Sequence, residues 1–389
     1  MQLAHSPSHR PTKQPAHRLP ALLHVISSFI KQNTVLCIAI LAAAVTSLIV
    51  PPDAQYLSYL DGKTLCCLFS TLAVVCALKN IHFFQILARR IVRIAGNTRS
   101  ALVLLIVITF VGSMLIANDM ALLTFLPLGF LVLTSTDKRK YMAVTFILQN
   151  IAANLGGMLT PFGNPQNLYL YSKFNIPTME FMGIMAAPFA LSILLITVCC
   201  FLFVKPEPLQ LDDEEIKLPP VRTVIYLLLF AFSIIIVFRV IPYWTGLIVI
   251  PIALLIMDRK ALKQVDYPLL FTFVFFFIFS GNMARIGVVR ELFSSLLEKN
   301  ALLVSVLSCQ VISNVPSAIL LSQFTGDYRS LLLGVNIGGV GTLISSLASL
   351  ITFREYVKHN PGKAGKYVAQ FSAFNFAFLL ILTGFALLF

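Results

Sequence analysis

Two segments of this chain carry a pattern suited to holding an ion or an anion inside apolar surroundings: Asn154-Leu155-Gly156-Gly157-Met158-Leu159-Thr160 and Asn336-Ile337-Gly338-Gly339-Val340-Gly341-Thr342. Around the first copy, Pro161 and Gly163-Asn164-Pro165 remove backbone donors and open positive φ, so a helix running from Tyr141 to Ser172 has to unwind there. Unwinding frees carbonyls for a cation. The half-helix that follows, with Asn167 in its first turn, offers N–H groups and a positive dipole end to an anion. The second copy has Gly338, Gly339, Gly341 and Thr342, then Ser345, Ser346 and Ser349, without proline, and reads as breakable but softer.

Each copy follows an asparagine-bearing polar interruption of an apolar stretch. Ala117-Asn118-Asp119 precedes the first, and Ser313-Asn314-Val315-Pro316-Ser317 precedes the second. Asp119 is the only acidic residue deep within an apolar stretch, and an intramembrane carboxylate is a functional candidate by default. It reads either as an ion or proton ligand or as a cap for the helix that follows it. A lone Gly-Gly in a membrane helix is usually a packing feature. Recurring in each half after an asparagine-bearing break, it reads instead as a binding element.

The elements that must position these residues are membrane helices. Of the 389 residues 58% are apolar and 12% charged, with mean hydropathy +0.87, against about 25% charged in soluble domains. Apolar runs near 33–50, 64–79, 140–172, 179–204, 221–240, 245–257, 268–283, 328–354 and 367–388 read as spans, and no alternating strand pattern occurs. The seven cysteines are an odd number within apolar spans, so they read as small hydrophobes and not as a disulfide or zinc framework. Four of the six histidines (His5, His9, His17 and His24) lie in the N-terminal tail, and no metalloenzyme is expected. Neither His-Glu-x-x-His nor Gly-x-Ser-x-Gly occurs, which disfavours an intramembrane enzyme. The phenylalanines of Phe271–Phe279 read as lipid-facing or packing surface, and Arg89, Arg90 and Arg93 as an interfacial marker. The acidic cluster Asp212–Glu215 reads as a solvated linker.

Two stretches remain. Residues 101–134 are long for one span and short for two, with Asn118 and Asp119 at the centre, and fit a re-entrant hairpin. Residues 301–323 could be one span or a shorter hairpin, and charge decides. With a hairpin and a cytoplasmic N-terminus, only Lys63, Lys173, Arg239, Arg285, Arg290, Lys299 and Arg329 fall outside, 7 of 29 basic residues, leaving 22 inside. A single span moves Arg354, Lys358, Lys363 and Lys366 outside and leaves 18 against 11. The positive-inside rule favours the hairpin, so the two halves insert in opposite orientations as an inverted repeat. Asp61 and Asp266 open matching spans, each followed by an amphipathic stretch (81–94 and 286–297) and then a hairpin. On this topology the net charge of +13 reflects cytoplasmic loops and does not imply a nucleic-acid partner.

The segments NDMALLTFLPL, NLGGMLTPFGNPQNL, SNVPSAILL and NIGGVGTLISSLASLI resemble the ion transporter superfamily that includes arsenite permeases, sodium/proton antiporters, citrate permeases and divalent anion:sodium symporters. The resemblance runs from about residue 33 to near the end of the chain. It implies an all-α polytopic protein with about nine spanning helices, two re-entrant hairpins and two broken helices, working as an elevator, with a scaffold that commonly dimerises. In the dicarboxylate branch Ser-Asn-Thr motifs stand at both hairpin tips. Here the tips read Ala117-Asn118-Asp119 and Ser313-Asn314-Val315, keeping only the asparagine, and the Asn-Asp pair is closer to the arsenite permease and antiporter side.

The expected organisation is a cytoplasmic tail and interfacial helix (1–32), scaffold parts at 33–99 and 221–299, transport parts at 100–204 and 300–389, and a cytoplasmic linker at 205–220. The expected location is a bacterial cytoplasmic membrane, with the N-terminus cytoplasmic and the C-terminus outside. The expected activity is secondary transport of a small anion, citrate- or dicarboxylate-like or an oxyanion, with sodium or protons as coupling ion and no further cofactor. The alternative is a sodium/proton antiporter or arsenite-type efflux permease using Asp119. Substrate or ion contacts are expected from Asn118, Asp119, Asn154, Gly156, Gly157, Thr160, Gly163, Asn164, Pro165 and Asn167 in the first half. In the second they are expected from Ser313, Asn314, Ser317, Asn336, Gly338, Gly339, Thr342, Ser345 and Ser346. Sodium is expected near Asn118, Asp119, Gly157 and Asn314. No Lys or Arg is expected at the site, so an anion's charge has to be met by helix N-termini and a co-bound cation.

Overall fold

The computed structural model describes Phe29 and residues 33–92, 94–208 and 218–388. The N-terminal tail with most of its interfacial segment, Arg93, and most of the linker with its acidic cluster lie outside the described residues. The rest is helical. Helices run α1 (Thr34–Ile49), α2 (Tyr56–Tyr59), α3 (Gly62–Asn80), α4 (Phe83–Val92), α5 (Thr98–Ile116), α6 (Asn118–Ser135), α7 (Met142–Gly156), α8 (Pro165–Lys173) and α9 (Thr178–Phe203). They continue as α10 (Pro220–Val237), α11 (Gly246–Met257), α12 (Arg259–Lys263), α13 (Tyr267–Arg285), α14 (Gly287–Ile312), α15 (Asn314–Leu321), α16 (Tyr328–Ile337), α17 (Leu347–His359) and α18 (Ala364–Ala386).

Local chemistry sets the ends. Asp61, Asn97, Asp266, Asp327 and Ser346 accept the N–H three residues on, satisfying donors a helix start leaves open. Pro165 and Pro220 sit where a missing N–H costs nothing. Among the described residues nine helices are long and apolar enough to cross a membrane. Their membership differs from the nine expected spans. Both limbs of the first hairpin are in the set, while the second broken helix is split into pieces too short to count and α1 is short as well.

Both hairpins are present, and each turns on a single residue. Ala117 (φ 65, ψ 151) joins α5 to α6, and Ser313 (φ 75, ψ 160) joins α14 to α15. The first limb of the second hairpin is separated from the amphipathic stretch before it by a kink at Asn300 (φ −164, ψ 91). Both broken helices are present too, with helix interrupted over 157–164 and 338–346 apart from a short 3-10 turn at Gly157–Leu159. The second break is as long as the first although it holds no proline. Gly341, at φ +128, adopts a backbone that a side chain disfavours, and Gln310 from α14 holds the loop around it.

The two repeats run antiparallel. Asn150 on α7 meets Ser349 and Thr352 on α17 (3.3 and 3.4 Å), whereas Asn164 and Asn167, further along the first chain, meet Asn336, further back along the second. Packing obeys the same exchange: α6 and α7 lie against α17, and α15 and α16 against α8. A separate set, α1 on α13 and α3 on α10 and α11, touches these mainly through α13 on α15 and α3 on α8.

Candidate functional site

The breaks and tips converge on a thread of asparagines crossing from one repeat to the other. Asn118 donates to Asn154 Oδ1 (3.2 Å), and Asn154 donates back to the Asn150 carbonyl (3.1 Å). Asn164 donates to the Asn154 carbonyl and to Asn336 Oδ1 (both 3.2 Å), and Asn336 donates to Asn167 Oδ1 (2.6 Å). All are buried. Gly339 leaves room where the halves meet: a methyl there would lie 3.1 Å from Asn314 Nδ2 and 3.6 Å from Asn154 Oδ1. The tips are built alike, Asn118 and Asn314 each accepting the next residue's N–H at 2.9 Å. At about 1.5 Å per residue, the Asn118–Asn154 contact puts the first tip roughly 18 Å above Met142, level with the break.

The carbonyls freed by unwinding are held from within the protein. Asn167 Nδ2 reaches those of Gly157, Met158 and Thr160 at 3.1, 3.2 and 3.3 Å. In the second repeat Gln310 Nε2 holds Gly338 and Val340 (2.9 and 3.2 Å), and the Ser345 hydroxyl lies 2.9 Å from the Gly339 carbonyl and 2.8 Å from that of Thr342. The threonine hydroxyls do not face the centre: Thr160 donates to the Met114 carbonyl (2.7 Å) and Thr342 to that of Gln310 (3.1 Å), tying each break to the first limb of its own hairpin. Ser317 pairs with Ser308, and Ser346 caps α17. Ser313 hydrogen-bonds the Ser345 carbonyl at 3.2 Å. Gly156 packs against the Phe110 carbonyl and the Ser113 hydroxyl, Gly163 against Gly157 and Thr160, and Gly338 against Cys309.

Beside this thread lies a cavity of about 120 Å³, room for several water-sized species at the roughly 10–15 Å³ each needs. Asn118, Asp119, Ser313 and Asn314 line it from the tips, Pro165 and Gln166 from the first turn of α8 just after the first break, and Leu347 and Arg354 from α17 beyond the second. Asn33, Thr34, Asp266 and Thr272 close it from α1 and α13. Asp119 does not cap its helix, since among the described residues no N–H donates to its side chain, and its Oδ1 is buried without a partner. Asn164 Oδ1 and Gln166 Oε1 are likewise buried and unmet. Oxygens without donors are what a cation requires.

Three residues of this wall escaped the reading of the sequence. Gln166 sits between Pro165 and Asn167, both expected at the site, and carries no local signal of its own. Asp266 belongs to a helix distant in sequence. Arg354 corrects the expectation of no basic residue: it was counted with the cytoplasmic loop, yet it stands two turns into α17 and lines the cavity.

A profile described as citrate transporter matches residues 22–325. An uncharacterized transporter of Methanocaldococcus jannaschii is 31% identical over 330 residues, covering 85% of this chain and 90% of its own. The inner membrane protein YbiR of Escherichia coli is 28% identical over 309 residues, 76% of this chain and 80% of its own. The silicon efflux transporter LSI3 of Oryza sativa is 31% identical over 144 residues, 36% of this chain and 29% of its own. With a profile matched over most of its length and a duplicated helical architecture around an asparagine-lined centre, this multi-pass membrane protein belongs to the citrate transporter family.

Proposed function

We propose that the protein is a secondary active transporter that moves a small anion, citrate- or dicarboxylate-like or an oxyanion, coupled to sodium or protons. Residues 100–204 and 300–389 move as one body against the rest in an elevator-like step. The observation that carries this reading is the cavity where both hairpin tips meet the half-helices that follow both breaks, with Arg354, Asp119 and Gln166 in its wall and the Asp119 Oδ1 and Gln166 Oε1 unmet. Such a site offers a guanidinium to an anion and bare oxygens to a cation, and an anion beside Asp119 gains from a cation bound with it. The cavity lies at the ends of α1 and α13 that carry Asn33 and Asp266, near Arg259, Lys260 and Lys263. By the positive-inside rule this is the cytoplasmic side, so the conformation faces inward.

The test is uptake into proteoliposomes of citrate, a C4 dicarboxylate or arsenite under imposed sodium and proton gradients. Gradient-driven, saturable uptake with counterflow is expected. Uptake indifferent to both gradients would refute the coupling. The Asn118-Asp119 pair and the similarity to a silicon efflux transporter favour a second reading, arsenite-type efflux or sodium/proton antiport through Asp119. Asp119→Asn separates the two: it abolishes antiport but only weakens or re-tunes anion transport.

A further inference from the structure

Asp61 and Asp266 open equivalent helices of the two repeats, α3 and α13, and each accepts a backbone N–H three residues on, from Thr64 at 3.0 Å and from Leu269 at 2.9 Å. They differ in the fate of the second carboxylate oxygen. Asp61 Oδ2 receives the Thr64 hydroxyl at 2.6 Å. The matching residue in the second repeat, Leu269, has no hydroxyl, and no other described residue donates to Asp266. Among the described residues nothing meets the second oxygen of that carboxylate, which belongs to the wall of the cavity that Asp119 lines from the hairpin tip. A neighbouring, more apolar pocket bounded by Leu72, Ile116 and Phe162 has the same two carboxylates in its wall.

Two carboxylates on separately packed groups of helices, sharing one cavity, repel each other unless something positive lies between them. Arg354 brings one positive charge, so among the described lining residues the fixed charge is two negatives against one positive. Independently of the acidic pair, Gln166 is 1% exposed, lines the same cavity, and holds a buried Oε1 that no donor meets. The donors on offer are all oxygens, which suits a hard cation, and one monovalent charge balances the wall.

We infer that a sodium ion binds between Asp119 and Asp266, with the Gln166 amide oxygen as a further ligand, and so ties the first hairpin tip to α13. This rests on the reading of the hairpins and broken helices as the moving body. Bound sodium favours the position in which the tip meets α13. When sodium leaves, the two carboxylates repel and the tip is released. Occupancy of the ion and position of the moving body are then linked, each biasing the other by the same factor.

The experiment is sodium binding to the purified full-length chain, read by thermal shift against a choline background and by direct 22Na binding. Wild type shows saturable, sodium-specific stabilisation. Asp266→Asn keeps the helix cap, because an amide oxygen still accepts the Leu269 N–H, but its sodium affinity falls roughly tenfold, the order expected from removing one of two nearby charges. Asp61→Asn, the equivalent cap in the other repeat, binds sodium as wild type does. Asp119→Asn binds none. Wild-type sodium affinity in Asp266→Asn alongside a loss in Asp119→Asn would overturn the bridge and leave the transporter reading standing. No sodium response in a wild-type protein whose uptake follows a proton gradient would overturn the sodium site in the same way. Absence of any gradient-driven uptake strikes the transporter reading itself.

Discussion

Replacing Asn167 by alanine tests how the first break is kept open. One amide group serves three carbonyls, those of Gly157, Met158 and Thr160, and its oxygen receives Asn336 Nδ2 from the other repeat. Asn167 has no exposed surface. An amide has two donor hydrogens, so the truncation strands about two carbonyls outright, at roughly 1–3 kcal/mol each for a buried acceptor left unmet. Asn336 loses less, because its amide still reaches the Leu332 carbonyl at 2.8 Å. A destabilisation of about 3–5 kcal/mol follows, large for one residue. Thermal inactivation in detergent at a fixed scan rate measures it, since membrane proteins of this size seldom unfold reversibly. Gln310→Ala is the counterpart, taking its amide from Gly338 and Val340, and is expected to cost a similar amount. A double-mutant cycle between Asn167 and Asn336 isolates the bond between repeats, expected to couple by about 0.5–3 kcal/mol. Wild-type inactivation of Asn167→Ala would mean that water, not the amide, satisfies these carbonyls, and would refute the reasoning.

Two further outcomes follow from contacts at opposite ends of the molecule. Glu207 gathers Lys138, Lys140 and the Tyr141 hydroxyl (2.7, 2.5 and 2.8 Å), and its backbone carbonyl accepts the Thr98 N–H (2.8 Å), so the linker clasps the open end of the first hairpin. Those partners hold its carboxyl down at about 2. Its ionised form is therefore favoured by folding, and its contribution is complete above the usual carboxylate range and lost as pH falls toward 2. Glu207→Gln is expected to narrow the thermal-stability difference between pH 7 and pH 3, and an unchanged difference would refute the clasp. Arg239, just past α10, donates to the Tyr171 carbonyl in the last turn of α8 and to the Ile176 carbonyl beyond it, and stacks with its guanidinium carbon 3.8 Å from the Tyr171 ring centroid. In an elevator this contact must break, so Arg239→Gln is expected to raise labelling of cysteines introduced near Tyr171 from the outside. Labelling equal to wild type would argue that the contact is not a latch.

Most of the architecture was readable from local signals. The spans fall within a few residues of their apolar runs, and both tips and both breaks lie where polar or glycine-rich interruptions placed them. Such interruptions act on their own stretch of helix, so they show in the sequence. What escaped depends on assembly. Arg354 looked like a loop residue because its run of basic neighbours follows it, although the helix carrying it begins only after the break. Gln310 and Asp266 act on loops and cavities built from other parts of the chain, and no local pattern announces that. The second break shows the same dependence on assembly: proline is one way to interrupt a helix, and a glutamine reaching across from a hairpin to the freed carbonyls is another.

The asparagine thread also constrains how the protein is made. Asn164 finds the Asn336 oxygen 172 positions later, and Asn150 waits 199 positions for Ser349. At roughly 5–20 residues per second of synthesis, the first repeat spends about 10–40 s in the membrane with its central amides lacking their final partners. During that interval water, lipid headgroups or the insertion machinery must satisfy them, or the helices that carry them must wait near the interface. The first repeat is thus inserted before it can be finished, and its last hydrogen bonds close only when the second arrives in the opposite orientation.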